Sequence, residues 1–224
     1  VTGGMKAMNK TILVIGTFDT KDDELNYVCE VIRAQGGTPM SMDVSVLGDP
    51  QQPTDISKHD VTAAVGKTIQ DAIDAGDENF AMQIMAAGAA TLTAKLYADG
   101  KIDGIIGLGG TMGTDLVLDY CQALPMGVPK YVVSTVAFSP IIPADRLAPD
   151  IQMILWAGGL YGLNSVCKSS LSQAAGAVLG AAAKACGGGG GGKPGFAQAG
   201  GRDATQLDAA LDDARDTIVA ALSK

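Results

Sequence analysis

Short apolar, β-branched runs alternate along this chain with segments whose apolar residues recur at helical spacing. Residues 11–15 (TILVI) form a continuous apolar run closed by Gly16, the pattern of a strand buried on both faces. From Asp23 to Gln35, the positions of Leu25, Val28, Val31 and Ile32 mark a helix, and Gly36 and Gly37 stop it. Residues 39–47 alternate and predict a second strand, followed by a loop over 48–58 rich in Asp, Pro and Gln. The spacing then predicts helices over 60–75 and 78–99, a strand over 102–108 and a helix over 115–124. Strands over 130–136 and 151–156 and an Ala-rich helix over 163–185 complete the pattern. This alternation predicts an α/β fold, a Rossmann-like three-layer parallel sheet with helices on both faces and right-handed crossovers.

The pattern changes at 187–192, six consecutive glycines. Residues 1–9 read as an N-terminal extension or expression remnant and 10–186 as the Rossmann-like domain. Residues 187–203 read as a Gly-rich linker. Residues 204–224 carry Leu207, Leu211, Ile218 and Leu222 on one face and predict a terminal amphipathic helix.

Composition narrows the functional classes. A hydrophobic content of 47% with 18% charged residues is globular, and the scarcity of aromatics (4%) implies a core of small aliphatic side chains. The formal charge of −8 argues against nucleic acid as a partner, since such binding relies on Lys and Arg to displace counterions. It leaves open a local phosphate site built from backbone amides. No apolar stretch reaches membrane-spanning length, so no membrane partner is expected. Cys29, Cys121, Cys167 and Cys186 are far apart and there is one histidine, so the cysteines read as buried residues of a cytoplasmic protein and not as zinc ligands.

In a parallel sheet, ligands bind outside the carboxyl ends of the strands. Four segments fall there: 16–21 (GTFDTK), 109–114 (GGTMGT), 134–137 (STVA) and 157–159 (AGG). The second follows an apolar strand and opens a helix, so its glycines let amides approach an anion and the helix end adds partial positive charge. Position 112 is Met, so the dinucleotide fingerprint is incomplete, and no Lys-Ser or Lys-Thr ending makes a Walker A loop. Asp19 reads either as a magnesium ligand or as a helix cap, and Lys21 as a phosphate contact or a solvated charge. Asp115 is similarly ambiguous at its helix start. His59 reads as a surface residue and Trp156 as core.

Residues 15–25 (IGTFDTKDDEL), 96–111 (LYADGKIDGIIGLGGT) and 124–137 (LPMGVPKYVVSTVA) share a further property, together with 162–165 (GLNS) and 174–177 (AAGA). In this order they resemble the ATP-binding N-terminal domain of the tomato mosaic virus resistance protein and its bacterial and fungal relatives. That resemblance implies ATP with magnesium, and carries Gly16, Thr17, Asp19, Thr20, Lys21, Gly109, Gly110, Thr111, Gly113, Thr114, Ser134 and Thr135 across as nucleotide-binding candidates. Asp19 is the candidate magnesium ligand. It implies no transferable catalytic residue. Met112 departs from the small residues usual in that turn, and residues 156–161 lack the acidic residue more often found there. The resemblance also implies a second lobe, supplied by another protein or by a homo-oligomer. The expectation is a regulatory or ligand-binding Mg-ATP domain. The alternative is an enzyme acting on a phosphorylated or carboxylated metabolite, with Ser134, Thr135 and Asp19 in its site.

Overall fold

The computed structural model describes residues 10–156 and 162–185, and the backbone of 191–193 and 196–198. Five strands, β1 (Thr11–Gly16), β2 (Thr38–Asp43), β3 (Gly104–Gly109), β4 (Lys130–Ser134) and β5 (Ile151–Leu155), form one sheet in the order β2-β1-β3-β4-β5. Every pairing is parallel. The helices are α1 (Phe18–Ala34), α2 (Lys58–Ala63), α3 (Ile69–Ile73), α4 (Glu78–Ala98), α5 (Thr111–Gln122) and α6 (Ser165–Ala185), with a 3₁₀ turn at Ala144–Arg146. The Rossmann-like three-layer architecture expected from the pattern is the one observed.

Strand alternation assigns the layers. Ile12 and Val14 of β1, with Ile106, Leu108, Tyr131 and Val133, face α1 and α6. Leu13 and Ile15, with Ile105 and Val132, face α2, α4 and α5. Trp156 is buried in the α1–α6 layer. Small residues permit close contact: a side chain at Gly107 would place its Cβ 2.6 Å from the methyls of Val117, and at Gly88 2.1 Å from the Val61 carbonyl oxygen.

Several boundaries differ from expectation. The helix expected over 60–75 is two short helices, because Gly66 takes φ +68 and closes a Schellman-type end, with Lys67 N–H donating to Thr62 C=O at 3.0 Å. Thr68 and Asp71 then restart the chain with a capping box. The helices expected to begin at 23 and 115 begin at Phe18 and Thr111, directly after their strands. In α1, Lys21 (φ −128, ψ 25) interrupts the helix, so the regular apolar spacing emerges only after it. The strand expected over 39–47 ends at Asp43, whose side chain turns to the start of α1.

At the amino ends of β4 and β5, Lys130 is 1% exposed. Its ammonium pairs with Asp150 and donates to Pro125 C=O at 2.8 Å, and Asp150 also accepts from Gly127 N–H at 2.9 Å. Within the expected linker, Gly191–Lys193 and Phe196–Gln198 pair as an antiparallel ribbon. The expected extension over 1–9, the turn at 157–159 and the terminal helix over 204–224 lie outside the described residues.

Candidate functional site

The strand order reverses direction between β1 and β3, where β1 leads to β2 on one side and β3 continues on the other. This switch point is where open α/β sheets place ligands. A cleft of about 500 Å³ opens beside it. Thr17, Asp19 and Thr20 come from the start of α1, residues 44–47 from the end of β2, and Met112, Gly113 and Leu116 from the start of α5. Ala72, Ile73, Ala81, Met82 and Met85, from α3 and α4, form the far wall.

The two helix starts at this point are chemically different. At α1 the leading amides are already engaged: Phe18 N–H donates to Asp43 Oδ1 at 3.2 Å and Asp19 N–H to Ser45 Oγ at 3.0 Å. Asp43 is 1% exposed, and its Oδ1 also accepts from Ser45 N–H at 2.9 Å and Ser45 Oγ at 2.5 Å. A carboxylate of the chain thus occupies the place an anion would take at this helix end. At α5, Gly110 is the N-cap, no side chain caps the helix and its first turn holds no acidic residue. Its helical hydrogen bonding begins with Thr114 N–H to Gly110 C=O at 2.9 Å, so the amides of Thr111, Met112 and Gly113 precede the intrahelical bonds.

Gly109 is required by packing, since a Cβ there would lie 2.3 Å from the backbone of Gly113 and Thr114. Gly16 is similarly close to Leu25, 2.9 Å from its Cδ1, whereas a Cβ at Gly110 would meet only Thr135 Oγ1, at 3.8 Å. Thr114 and Ser134 are buried, their hydroxyls 2.7 Å apart, and Ser134 Oγ accepts from Val136 N–H at 3.1 Å. These two residues tie β4 to α5 beneath the glycine turn. Thr17 and Thr20 share a hydroxyl hydrogen bond of 3.1 Å, and Lys21 Nζ donates to Thr20 C=O at 3.1 Å. Asp19 presents a carboxylate to the cleft. Its Oδ2 receives a long 3.4 Å contact from Gly48 N–H, while Oδ1 is buried with no hydrogen-bond partner. Among the described residues, no Lys, Arg or His lines the cleft. Asp115 is the fifth residue of α5, and its carboxylate pairs with Arg146 at 2.9 Å. His59 is exposed on α2.

Sequence reasoning missed Asp43, Ser45 and Glu24. Asp43 and Ser45 fall in the polar phase of the alternating stretch 39–47, so nothing in the sequence marked them as buried. Glu24 sits on the apolar stripe of α1, is 3% exposed and accepts from Gly162 N–H at 3.0 Å, tying α1 to the approach of α6.

Residues 10–186 match the model described as the uncharacterised protein family (UPF0261) N-terminal domain. The chain belongs to the UPF0261 family. A UPF0261 protein of Brucella suis biovar 1 is 57% identical over 171 residues, covering 76% of this chain and 41% of the relative. One from Clostridium tetani is 35% identical, covering 77% of this chain and 43% of the relative. This UPF0261 chain therefore spans about two-fifths of the length of these relatives. These findings correct the expected resemblance: the model over residues 10–186 and the Brucella and Clostridium relatives are UPF0261, and nothing points to a viral resistance protein. Residues 162–220 also match a DHHA1 domain model. Over 49 residues, 22% of the chain and 5% of the relative, the UPF0261 chain is 86% identical to a chloroplastic/mitochondrial alanine–tRNA ligase of Ostreococcus lucimarinus. Among the described residues no helix is long and apolar enough to cross a membrane, and no group of three or more His, Cys, Asp or Glu side chains is placed to hold a metal.

Proposed function

We propose that this domain binds a phosphorylated small molecule, with Mg-ATP as the leading candidate, and acts as a ligand-binding or regulatory module. The observation that carries the reading is the uncapped start of α5 opening beside the switch-point cleft. Amides ahead of the first helical hydrogen bond, with the helix dipole behind them, favour a phosphate. The start of α1 serves a different purpose: Asp43 and Ser45 fix it, and so hold the Asp19 carboxylate toward the cleft.

A magnesium ion fits the donors present. Asp19 Oδ1 is buried and without a partner, which a cation would remedy. Magnesium is commonly held by one or two carboxylates plus phosphate oxygens and water, so a protein cage of several ligands is unnecessary. The ion would offset repulsion between a polyphosphate and a cleft that contains Asp19, Asp77 and Glu78. Among the described residues, His59 is not part of the cleft lining.

Isothermal titration of the full chain with ATP, with and without magnesium, tests this reading. Gly48→Ala is the sharpest variant, because the added Cβ would lie 2.6 Å from Asp19 Cβ and displace its carboxylate. Magnesium-dependent affinity is expected to fall about tenfold, roughly 1.4 kcal/mol. Binding that ignores both magnesium and Gly48→Ala would remove Asp19 from the site. Absence of any nucleotide binding would overturn the proposal.

A further inference from the structure

The two edges of the sheet are finished differently. At β2 the outer groups are taken: Asp43 N–H donates to Ile56 C=O at 2.9 Å, Ile56 N–H to Ser41 C=O at 2.9 Å, and Ser41 N–H to Asp55 Oδ2 at 2.7 Å. At β5 they are open. Trp156 N–H donates to Ser134 C=O at 2.8 Å, so by strand alternation Gln152 and Ile154 also turn their backbone groups to β4, while Met153 and Leu155 turn theirs away. Among the described residues no strand lies beyond β5, and the Met153 and Leu155 amides have no backbone partner. Ile151–Leu155 carries neither charge nor proline, the devices that guard an open edge. The side chains of β5 are thinly covered as well. Residues 135–150, which join β4 to β5, hold no longer helix than the 3₁₀ turn Ala144–Arg146, pinned to α5 by Arg146 through Asp115 at 2.9 Å and Asp119 at 3.0 Å. Without a crossover helix, Leu155 is 47% exposed, and Phe138, Ile141 and Leu147 of the connection are exposed too. Phe138, 81% exposed, holds φ +62, a conformation that costs an aromatic residue energy.

An open, uncharged edge whose own connection exposes apolar side chains has the character of an interaction surface. Its geometry selects the occupant. The outward residues Ile151, Met153 and Leu155 are spaced evenly about Met153, so an antiparallel copy of the strand, related by a twofold axis at Met153, matches them residue for residue. Met153 N–H then donates to the C=O of the second copy's Met153, and Leu155 N–H to that of the second copy's Ile151, with both bonds repeated by symmetry. Ile151 spends its own N–H on Ala148 C=O at 3.1 Å, which leaves its C=O for this pairing. On the α5 side, Ile151, Met153 and Leu155 meet their counterparts in one apolar stripe. The formal charge of −8 opposes association of two copies, but this strand brings no charge into the contact. We propose that β5 is a dimerisation edge, at which two copies of this chain join their five-stranded sheets into one.

Sedimentation velocity of the full chain from about 5 to about 200 µM is the test, since one strand edge with a small apolar stripe is expected to give a Kd on the order of 10 µM. The mass should rise from one chain to two across that range. Met153→Lys and Met153→Glu each set like charges face to face on the twofold axis, and each should weaken the dimer at least about tenfold. An equimolar mixture of the two sets Lys against Glu and should restore the dimer. Leu155→Lys places a guarding charge at a half-exposed position, so it should keep the native circular dichroism and weaken the dimer by a similar factor. If the Met153 variants do not fold, Leu155→Lys decides alone. A wild-type chain that stays monomeric throughout would overturn the proposal and leave the edge to another occupant, such as the part of the longer UPF0261 relatives that this chain does not span. A dimer that Leu155→Lys leaves unchanged would move the contact elsewhere and overturn it equally. A mixture of folded Met153 variants that stays monomeric would refute the twofold pairing at Met153.

Discussion

The Thr114–Ser134 pair offers a quantitative test of how the candidate site is held. Both residues are buried, their hydroxyl oxygens are 2.7 Å apart, and Ser134 Oγ accepts from Val136 N–H at 3.1 Å. Thr114 Oγ1 also lies 3.3 Å from Gly109 C=O. Ser134→Ala leaves the Val136 amide without its acceptor and removes one of the two contacts of Thr114. Stranding a buried polar group costs about 1–3 kcal/mol, so about 2 kcal/mol is expected. Thr114→Val keeps the shape of the side chain and strands less, giving about 1 kcal/mol. The double variant should cost less than the sum by about 1 kcal/mol, because the shared hydrogen bond is lost only once. Urea unfolding followed by circular dichroism measures all four proteins, and Ser134→Ala should also lower Tm by about 4–8 °C. Additivity within about 0.4 kcal/mol would refute the coupling and with it the role of this pair as a clamp beneath the glycine turn.

Two further outcomes follow from ionisation. The carboxyls of Asp60 and Asp71 lie below the ordinary carboxylate value: hydrogen bonds from the Ser57 hydroxyl and N–H lower Asp60, and those from the Thr68 N–H and hydroxyl lower Asp71. Burial pushes Asp150 up, but the Lys130 ammonium and Gly127 N–H outweigh it, so its carboxyl is also lowered. Groups depressed in the folded state contribute fully above the unfolded value and lose that contribution as pH falls through the folded value. Thermal stability should therefore decline below about pH 4, and the Asp60→Asn, Asp71→Asn double variant should show a shallower decline. An identical acid profile for the variant would contradict this assignment. Separately, burial pushes the Cys29 and Cys121 thiols up to about 12, and it also raises Cys167. In a Cys186→Ser background, Ellman's reagent should not react with the native chain near neutral pH, and after unfolding Cys29, Cys121 and Cys167 should each form a mixed disulfide and release one nitrothiobenzoate. Prompt native reaction would contradict their burial.

The sheet was legible because runs such as 11–15 are too continuously apolar for anything but a strand covered on both faces. The start of α1 was not legible, because the groups satisfying its first amides, Asp43 and Ser45, lie about 25 residues downstream and meet it only after β1 and β2 pair. The same limit hid the division of 60–75, where periodicity continues across Gly66 and only the backbone reversal separates the two helices. The near side of the cleft could be anticipated from the glycine turn after β3. Its far wall could not, since Ile73, Met82 and Met85 read as ordinary apolar helix positions until α3 and α4 fold against the end of β2. Thr114 and Ser134 read as nucleotide-binding candidates from the sequence, but helical phase and strand alternation turn both hydroxyls inward, toward each other.

The Lys130–Asp150 clamp sits at the amino ends of β4 and β5, across the full length of the sheet from the cleft. Removing either partner would leave a buried charge uncompensated, so that end of the molecule tolerates little change. The opposite rim owes nothing to this pair. Its turns can be lengthened, exchanged or retuned for a new ligand while the anchoring charges stay as they are. The architecture is thus a scaffold on which binding properties can drift independently of the means by which the sheet is kept folded.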